Sequence, residues 1–159
     1  MSVFRALQQS PFTDWLLGSD SIWTYPLVLT LHTAGLAVLV GASIVIHLRL
    51  LSVGATIPLH RFRVLFRFVW AGFAINLVTG LMLFATQAAD RIADPVFGMK
   101  LGSIALALWA GVVLRRRVID APPDGAPLDP SHVRWLAAGG LALWAVAIVT
   151  GRLMAYRTS

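Results

Sequence analysis

The chain has 159 residues, of which 58% are hydrophobic and 13% charged, and its formal net charge is +6. Soluble domains contain about 45–50% apolar and about 25% charged residues. This composition, with a mean hydropathy of +0.78, therefore excludes an ordinary soluble domain and predicts an integral membrane protein. The chain contains no cysteine, which excludes disulfides, thiolate metal sites and thiol redox chemistry. Its basic residues cluster in short loops beside apolar stretches, which favours membrane anchoring over nucleic-acid binding.

The N-terminal segment, residues 3–18, is too short and too polar to cross a bilayer. Its apolar side chains predict an amphipathic segment lying flat in the interface, with Trp15 at headgroup depth and Thr13 capping a short helix. A partly ordered tail is the alternative. The segment has one arginine and no clean apolar run of signal length, so we expect the first span itself to direct insertion.

Four apolar stretches follow, and each approaches the length of about 20 residues that a membrane-spanning helix needs. They are predicted at about 26–51, 68–88, 96–114 and 135–156. The predicted fold class is therefore all-α. We expect one membrane domain over residues 1–159, a four-helix bundle with a short N-terminal interfacial helix.

The loops between these spans predict the orientation, because cytoplasmic loops carry an excess of Lys and Arg. Eight basic residues lie in or beside the loops joining spans one to two and three to four: Arg49, Arg61, Arg63, Arg67, Arg115, Arg116, Arg117 and Arg134. Five lie on the opposite side: Arg5, Arg91, Lys100, Arg152 and Arg157. We therefore expect a multi-pass protein of the bacterial inner membrane with both termini outside the cytoplasm.

Three basic residues fall within the apolar stretches, and antiparallel spans would bring all three to one end of the bundle. They are His32 in the first span, Lys100 at the head of the third and Arg152 near the end of the fourth. At 1.5 Å per residue, His32 lies about 10 Å below Tyr25. Ionisable groups in hydrocarbon are costly and indicate a functional site by default. We expect the imidazole and the two cations to meet in one lipid-shielded pocket.

Such a set suits haem, because neutral imidazole ligates the iron and the two propionates need cationic partners. We predict that His32 ligates haem b and that Lys100 and Arg152 bind its anionic groups. Electron transfer to a quinone or a periplasmic redox protein would follow, and the sequence identifies no catalytic residue. The alternative is structural: His32 hydrogen-bonds to Thr79 or Thr150, and the cations snorkel to the interface. The protein would then be a non-enzymatic membrane subunit or scaffold that binds lipid headgroups.

A third hypothesis is copper handling, with His32 as the metal ligand and Met99 and Met154 near it, although this ligand set is thin. The first span also carries His47, about 22 Å along the helix from His32. No other span has a histidine that could complete a six-coordinate haem. Because His47 lies near Arg49, we interpret it as an interfacial residue. The spans contain no carboxylate, which counts against a cation transporter.

Short motifs in a fixed order extend over nearly the whole chain. They are Tyr25-Pro26, Leu31-His32-Thr33-Ala34-Gly35, Leu39-Val40-Gly41, Leu48-Arg49-Leu50-Leu51, Trp70-Ala71-Gly72-Phe73, Thr79-Gly80-Leu81-Met82-Leu83-Phe84, Asp94-Pro95-Val96-Phe97, Lys100, Gly151-Arg152 and Ala155-Tyr156. In order and spacing they resemble an uncharacterised bacterial membrane family, the domain of unknown function 6644. The pattern of that family has acidic residues where this chain has Leu29 and His47.

More distantly, the plan is similar to the HemJ-type haem-binding protoporphyrinogen oxidases and to the CopD-type copper-resistance membrane proteins. Both place a histidine in the first span and a lysine at the head of a later one. That likeness implies His32 as a haem ligand and Lys100 as a partner of a propionate or a substrate. It is a likeness of fold, and a fold does not determine a function.

Overall fold

The computed structural model describes residues 2–18, 23–121 and 128–156, and within these residues it is helical with no strand. A 3-10 helix (Leu59–Val64) precedes the second span, and a π-helix (Arg115–Ile119) follows the third. The α-helices are α1 (Ser2–Gln8), α2 (Pro11–Gly18), α3 (Thr24–Leu50), α4 (Leu65–Ala85), α5 (Ala88–Arg91), α6 (Pro95–Leu114) and α7 (Pro130–Tyr156). The predicted all-α class is confirmed.

Four of the described helical segments are long and apolar enough to cross a membrane, and they centre on α3, α4, α6 and α7. Only 17–28% of the residues in their apolar windows are buried inside the protein, so most of this apolar surface faces outwards and needs lipid around it. The chain is therefore a membrane protein. The fourth span begins earlier than the predicted residue 135, because Asp129 caps it and accepts hydrogen bonds from the backbone and the hydroxyl of Ser131.

Two helical hairpins make up the bundle: α3 packs along α4, α6 packs along α7, and α3 also contacts α7. The backbones of these two helices come close together where Gly35 of α3 faces Gly72 of α4. A Cβ atom on Gly72 would stand 2.6 Å from the backbone nitrogen of Leu39 and 2.8 Å from the carbonyl oxygen of Gly35. Small residues at a membrane helix crossing let the two backbones come this close.

The main hydrophobic core lies in the half of the bundle towards the 3-10 and π-helices, whose loops carry most of the arginines. We call this half the arginine-rich end and the opposite half the His32 end. Leu39, Leu114 and Trp144 are at most 1% exposed in this core. The His32 end contains the two cavities described below.

The interpretation of His47 as an interfacial residue was wrong, because this side chain is only 2% exposed and lies within the core. Its Nδ1 lies 2.6 Å from the carbonyl oxygen of Ser43, one helical turn earlier, and donates a hydrogen bond to it. Room for the ring exists because the facing residue on α7 is Gly140. His47 therefore belongs to the packed interior, although it lies close to Arg49 at the end of α3.

The N-terminal segment forms two short helices, where the sequence predicts one interfacial helix. The ring of Phe4 on α1 meets the ring of Phe84 edge-on, with 6.4 Å between centroids. Thr13 does not cap a helix: it lies within α2, is 2% exposed and donates to the carbonyl of Leu7. Ser10 precedes α2, and its hydroxyl accepts a hydrogen bond from the backbone of Thr13. The two helices thus cover part of the His32 end and leave Trp15 exposed.

Candidate functional site

The His32 end contains a cavity of about 350 Å³ to which α3, α4, α5, α6 and α7 all contribute. We call it the histidine cavity. Its polar lining includes His32, Lys100, Arg91 and Gln87. His32 and Lys100 were predicted from the sequence to meet in one pocket. The cavity therefore brings together an imidazole and two basic side chains at one end of the membrane domain.

A second cavity of about 410 Å³ adjoins the first and is lined mainly by apolar side chains of α4 and α6. We call it the lateral cleft. Two aromatic rings on the shared wall, Phe84 and Phe97, are stacked with 5.3 Å between centroids. Both cavities have five lining residues in common: His32, Gly80, Phe84, Phe97 and Lys100. Together they form an amphipathic site, polar towards the bundle end and apolar along the spans.

The imidazole of His32 is held in one orientation by α4. Its Nδ1 lies 3.0 Å from the hydroxyl oxygen of Thr79, and that hydroxyl lies 2.6 Å from the carbonyl oxygen of Ile75. A hydroxyl has one hydrogen. Since Thr79 donates it to Ile75, the Thr79 oxygen accepts from His32, and the ring carries its proton on Nδ1. Thr79 is one of the two residues that the structural alternative named as hydrogen-bond partners of His32. Thr150, the other, donates to its own helix at Val146.

The second ring nitrogen of His32, Nε2, is therefore the unprotonated one and has a free lone pair. It forms no hydrogen bond with the described residues. Among those residues, the fully buried side-chain nitrogens and oxygens that lack a partner belong to His47 and Trp144, so Nε2 of His32 retains some solvent-accessible surface. A Cβ atom on Gly80 would stand 3.2 Å from the adjacent Cε1. The same Cβ would stand 3.7 Å from Nδ1, so the absence of a side chain at Gly80 leaves room for the Nδ1 side of the ring.

Lys100 reaches the same cavity along α7. Its chain passes Gly151, where a Cβ atom would stand 3.6 Å from Cε and 3.7 Å from Nζ of the lysine. The lysine side chain is partly buried, and it lies within electrostatic range of both His32 and Arg91. A cation placed here can pair with an anionic group of a ligand.

The second cation of the cavity is Arg91, which the sequence interpretation counted only as a loop charge. Its Nε donates to the side-chain oxygen of Gln87 at 2.9 Å, and both terminal nitrogens lie 3.4 Å from the carbonyl oxygen of Met154. It also forms an ion pair with Asp94 at 3.8 Å, and its side chain is 13% exposed. The i,i+4 spacing from Gln87 and the i,i+3 spacing to Asp94 were the available signals.

Arg152, predicted as the second cation, does not line either cavity. It is exposed, and its guanidinium lies over the ring of Tyr156, 5.4 Å from the centroid. Its neighbour Gly151 faces the cavity instead. Successive helical residues point about 100° apart, so one residue of offset removes Arg152 from the site. Of the three basic residues expected to meet, His32 and Lys100 line the same cavity. The third basic residue of that cavity is Arg91 instead of Arg152.

Of the copper ligands considered above, His32 and Met154 line the same cavity and Met99 does not. Met99 is 58% exposed and lines neither cavity, whereas Met154 is 8% exposed and lines the histidine cavity. In the described parts of the chain, no group of three or more His, Cys, Asp or Glu residues could hold a metal ion. The chemistry that this site offers is thus one imidazole lone pair beside Lys100 and beside Arg91, which is paired with Asp94, with an apolar cleft next to them.

Similar proteins of known function would indicate what this site binds. The resemblance to the domain of unknown function 6644, and the more distant likeness to HemJ-type and CopD-type proteins, remain predictions from the residue pattern. Comparison of the chain with protein-family models, with curated proteins and with solved structures finds no match.

Proposed function

We propose that this protein is a small multi-pass protein of the inner membrane that binds haem b through His32 and transfers electrons near the outer leaflet. The observation that supports this most is the position of the His32 ring, which bonds Thr79 through Nδ1 and lines a cavity that also contains two basic side chains. The inferred tautomer leaves Nε2 with its lone pair. Haem-ligating histidines have the same arrangement, in which a hydrogen bond to the other ring nitrogen selects the tautomer and orients the ring. Here that bond is the one to Thr79.

The residues present fit the chemistry of haem. Lys100 and Arg91 would bind the propionates by charge-assisted hydrogen bonds, in place of the Lys100–Arg152 pair expected from the sequence. The apolar lateral cleft would exclude water from the macrocycle, and 350–410 Å³ per cavity lies within the range of cofactor sites. Bound haem would supply one-electron transfer. With a single histidine at the site, the iron would have one imidazole ligand.

The side of the membrane at which electrons would be transferred follows from the orientation that we propose. The positive-inside rule assigns the arginine-rich end to the cytoplasm, which puts the His32 end and its cavities at the outer leaflet. The lateral cleft lies between two spans and is lined by apolar residues, so a quinone in the lipid is one partner that could approach through it. A periplasmic redox protein is the other.

The absorbance spectrum of the purified full-length chain tests the proposal. We expect a Soret band after expression with haem supplementation, and we expect His32→Gln to abolish it, because the amide cannot replace imidazole as an iron ligand. Glutamine can still donate to Thr79, so the variant should fold, which size-exclusion chromatography checks. His60→Gln and His132→Gln are matched controls, since both histidines are exposed, and they should retain the band.

Two outcomes would contradict the proposal. The absence of a Soret band in the wild type, even after titration with hemin, would remove haem. A band that persists in His32→Gln would move the ligand elsewhere. In the first case the structural alternative gains support, because His32 already bridges α3 and α4: its Nδ1 bonds Thr79, and its carbonyl oxygen accepts from Asn76 Nδ2 at 2.7 Å. The protein would then be a non-enzymatic membrane subunit or scaffold.

A second prediction separates the two basic residues named from the sequence. Lys100→Met is expected to weaken hemin binding about tenfold or more, because one charge-assisted hydrogen bond to a propionate would be lost. Arg152→Met removes the same charge from the same end of the bundle but outside the cavity, so hemin affinity should stay within about twofold. Hemin titration monitored at the Soret band measures both. Equal losses would show that the overall charge of this end matters, rather than the cavity.

A further inference from the structure

The arginine-rich end carries a separate open groove of about 740 Å³, which the proposed haem site does not use. We call it the arginine groove. One wall is formed by the 3-10 helix and the start of α4, and the other by the start of the π-helix. Four arginines line it: Arg61, Arg63, Arg67 and Arg115. The groove is therefore a strongly cationic surface at the edge of the membrane domain.

Asp120 joins the two walls. Its carboxylate oxygens lie 2.6 Å from Nε of Arg63 and 2.9 Å from Nε of Arg115. Arg63 also donates to the carbonyl oxygen of Ile119 at 3.2 Å. The hydrogen bond from Arg115, followed by the charges of Arg63 and Arg115, holds the pKa of Asp120 below its usual range. Asp120 thus stays ionised near neutral pH and fixes the positions of these two arginines.

The other two arginines of the groove keep their charge available for a ligand. Among the described residues, neither Arg61 nor Arg67 forms an ion pair, and both are exposed. Asp120 pairs with only two of the four arginines that line the groove, so the groove has a clear excess of positive charge. Guanidinium groups bind phosphate oxygens in a bidentate manner, so phosphate is the group that this pair is suited to bind.

The floor of the groove is aromatic and leads towards the spans. The guanidinium of Arg115 lies over the ring of Phe66, 5.1 Å from the centroid. One turn further along α4, Trp70 also lines the groove and is 43% exposed. Tryptophan at this depth is typical of the boundary between headgroups and acyl chains. A ligand that fills the groove therefore needs an anionic head and an apolar body.

We propose that the arginine groove is a binding site for an anionic phospholipid. The phosphodiester would lie between Arg61 and Arg67, and the acyl chains would run past Trp70 along α4. Zwitterionic lipids bring a cation of their own, which the excess positive charge of the groove disfavours. Basic pockets beside membrane-spanning helices bind such headgroups by this combination of charge and apolar contact.

The test uses the full-length protein in mild detergent, titrated with phosphatidylglycerol and followed by native mass spectrometry and by thermal stability. We expect specific retention of phosphatidylglycerol and a rise in the unfolding temperature. Arg61→Gln/Arg67→Gln should weaken binding roughly 30-fold, since each arginine near an anionic lipid contributes roughly a fivefold factor. The matched control is Arg116→Gln/Arg117→Gln, which removes two exposed charges from the same end, outside the groove. It should change affinity about threefold or less.

Each remaining outcome overturns the proposal. Equal weakening in both double variants would mean diffuse attraction to the whole basic surface. Equal binding of phosphatidylcholine would remove the selectivity for anionic lipid. A comparable rise in stability with inorganic phosphate alone would indicate a site for free anions. If Arg61→Gln/Arg67→Gln does not fold, the single variant Arg67→Gln decides, with an expected loss of about fivefold and unchanged affinity as the contradicting result.

Discussion

Gly72→Ala is expected to destabilise the bundle by about 3 kcal/mol or to prevent its assembly. The new Cβ would stand 2.6 Å from the backbone nitrogen of Leu39 and 2.8 Å from the carbonyl oxygen of Gly35. These are atoms of the α3 backbone, which cannot rotate aside as a flexible side chain can. Helices α3 and α4 would have to separate and lose the contacts along their whole interface. Thermal unfolding in detergent, followed by circular dichroism and size-exclusion chromatography, measures the effect.

The matched control is Gly41→Ala on α3, where a Cβ would meet nothing within 4 Å. It makes the same glycine-to-alanine change in a spanning helix but without a steric clash, so it measures the general effect of alanine by itself. We expect its stability to stay within about 0.5 kcal/mol of the wild type. If Gly72→Ala unfolds at the same temperature as Gly41→Ala, the two helices do not approach as closely as described.

Hydropathy was sufficient to predict the class of this fold, because a span needs only length and apolar composition. It could not predict which face of each span points inwards. Lipid and protein interior are both apolar, so a membrane helix carries little sequence signal that separates its two faces. The consequence is visible on α7: Gly151 faces the histidine cavity and the adjacent Arg152 does not. Antiparallel connectivity correctly predicted the end of the bundle at which Arg152 lies. The rotation of α7 about its axis keeps its side chain out of the cavity.

The opposite error concerns Arg91, which lies between spans in the sequence and was counted as a loop charge. In the structure a single helical turn, α5, directs it back towards the bundle. Gln87 and Asp94, on either side of it in the sequence, and the end of α7 then hold its guanidinium in place. The contact with α7 is tertiary, so no local pattern could reveal it. His32 and Lys100 were easier to assign, because each stands inside an apolar stretch, where an ionisable group is costly and indicates a functional site by default.

His47 shows how a small residue far away in the sequence decides the environment of a polar one. Its position near Arg49 suggested the interface, yet the ring inserts against α7 because Gly140 there has no side chain. Ser43, one turn before, satisfies Nδ1 through its carbonyl oxygen, which removes part of the cost of burying the imidazole. The paired glycines Gly139 and Gly140 were the visible signal, but which of the two faces α3 depends on helix rotation.

The burial of His47 leads to the second large effect on stability: Gly140→Ala is expected to cost about 2–3 kcal/mol. A Cβ at this position would stand 2.7 Å from Cδ2 of His47. The ring cannot move aside easily, since it is 2% exposed and bonded to the carbonyl of Ser43. The adjacent Gly139→Ala is the control, because nothing lies within 4 Å of its Cβ position. Thermal unfolding in detergent should leave Gly139→Ala close to the wild type.

A double-mutant cycle identifies the cause of that loss. If Gly140→Ala acts through the imidazole, it should cost little in a His47→Ala background, where the atoms that it would meet are gone. The two substitutions would then be coupled by about 2 kcal/mol, well above the roughly 0.3–0.5 kcal/mol within which independent sites add. Additive effects would mean that α7 tolerates a methyl group here, and that the ring does not occupy the space beside Gly140. The cycle needs the unfolding free energies of the wild type, both single variants and the double variant, and the coupling is what remains after the two single effects are subtracted from the double effect.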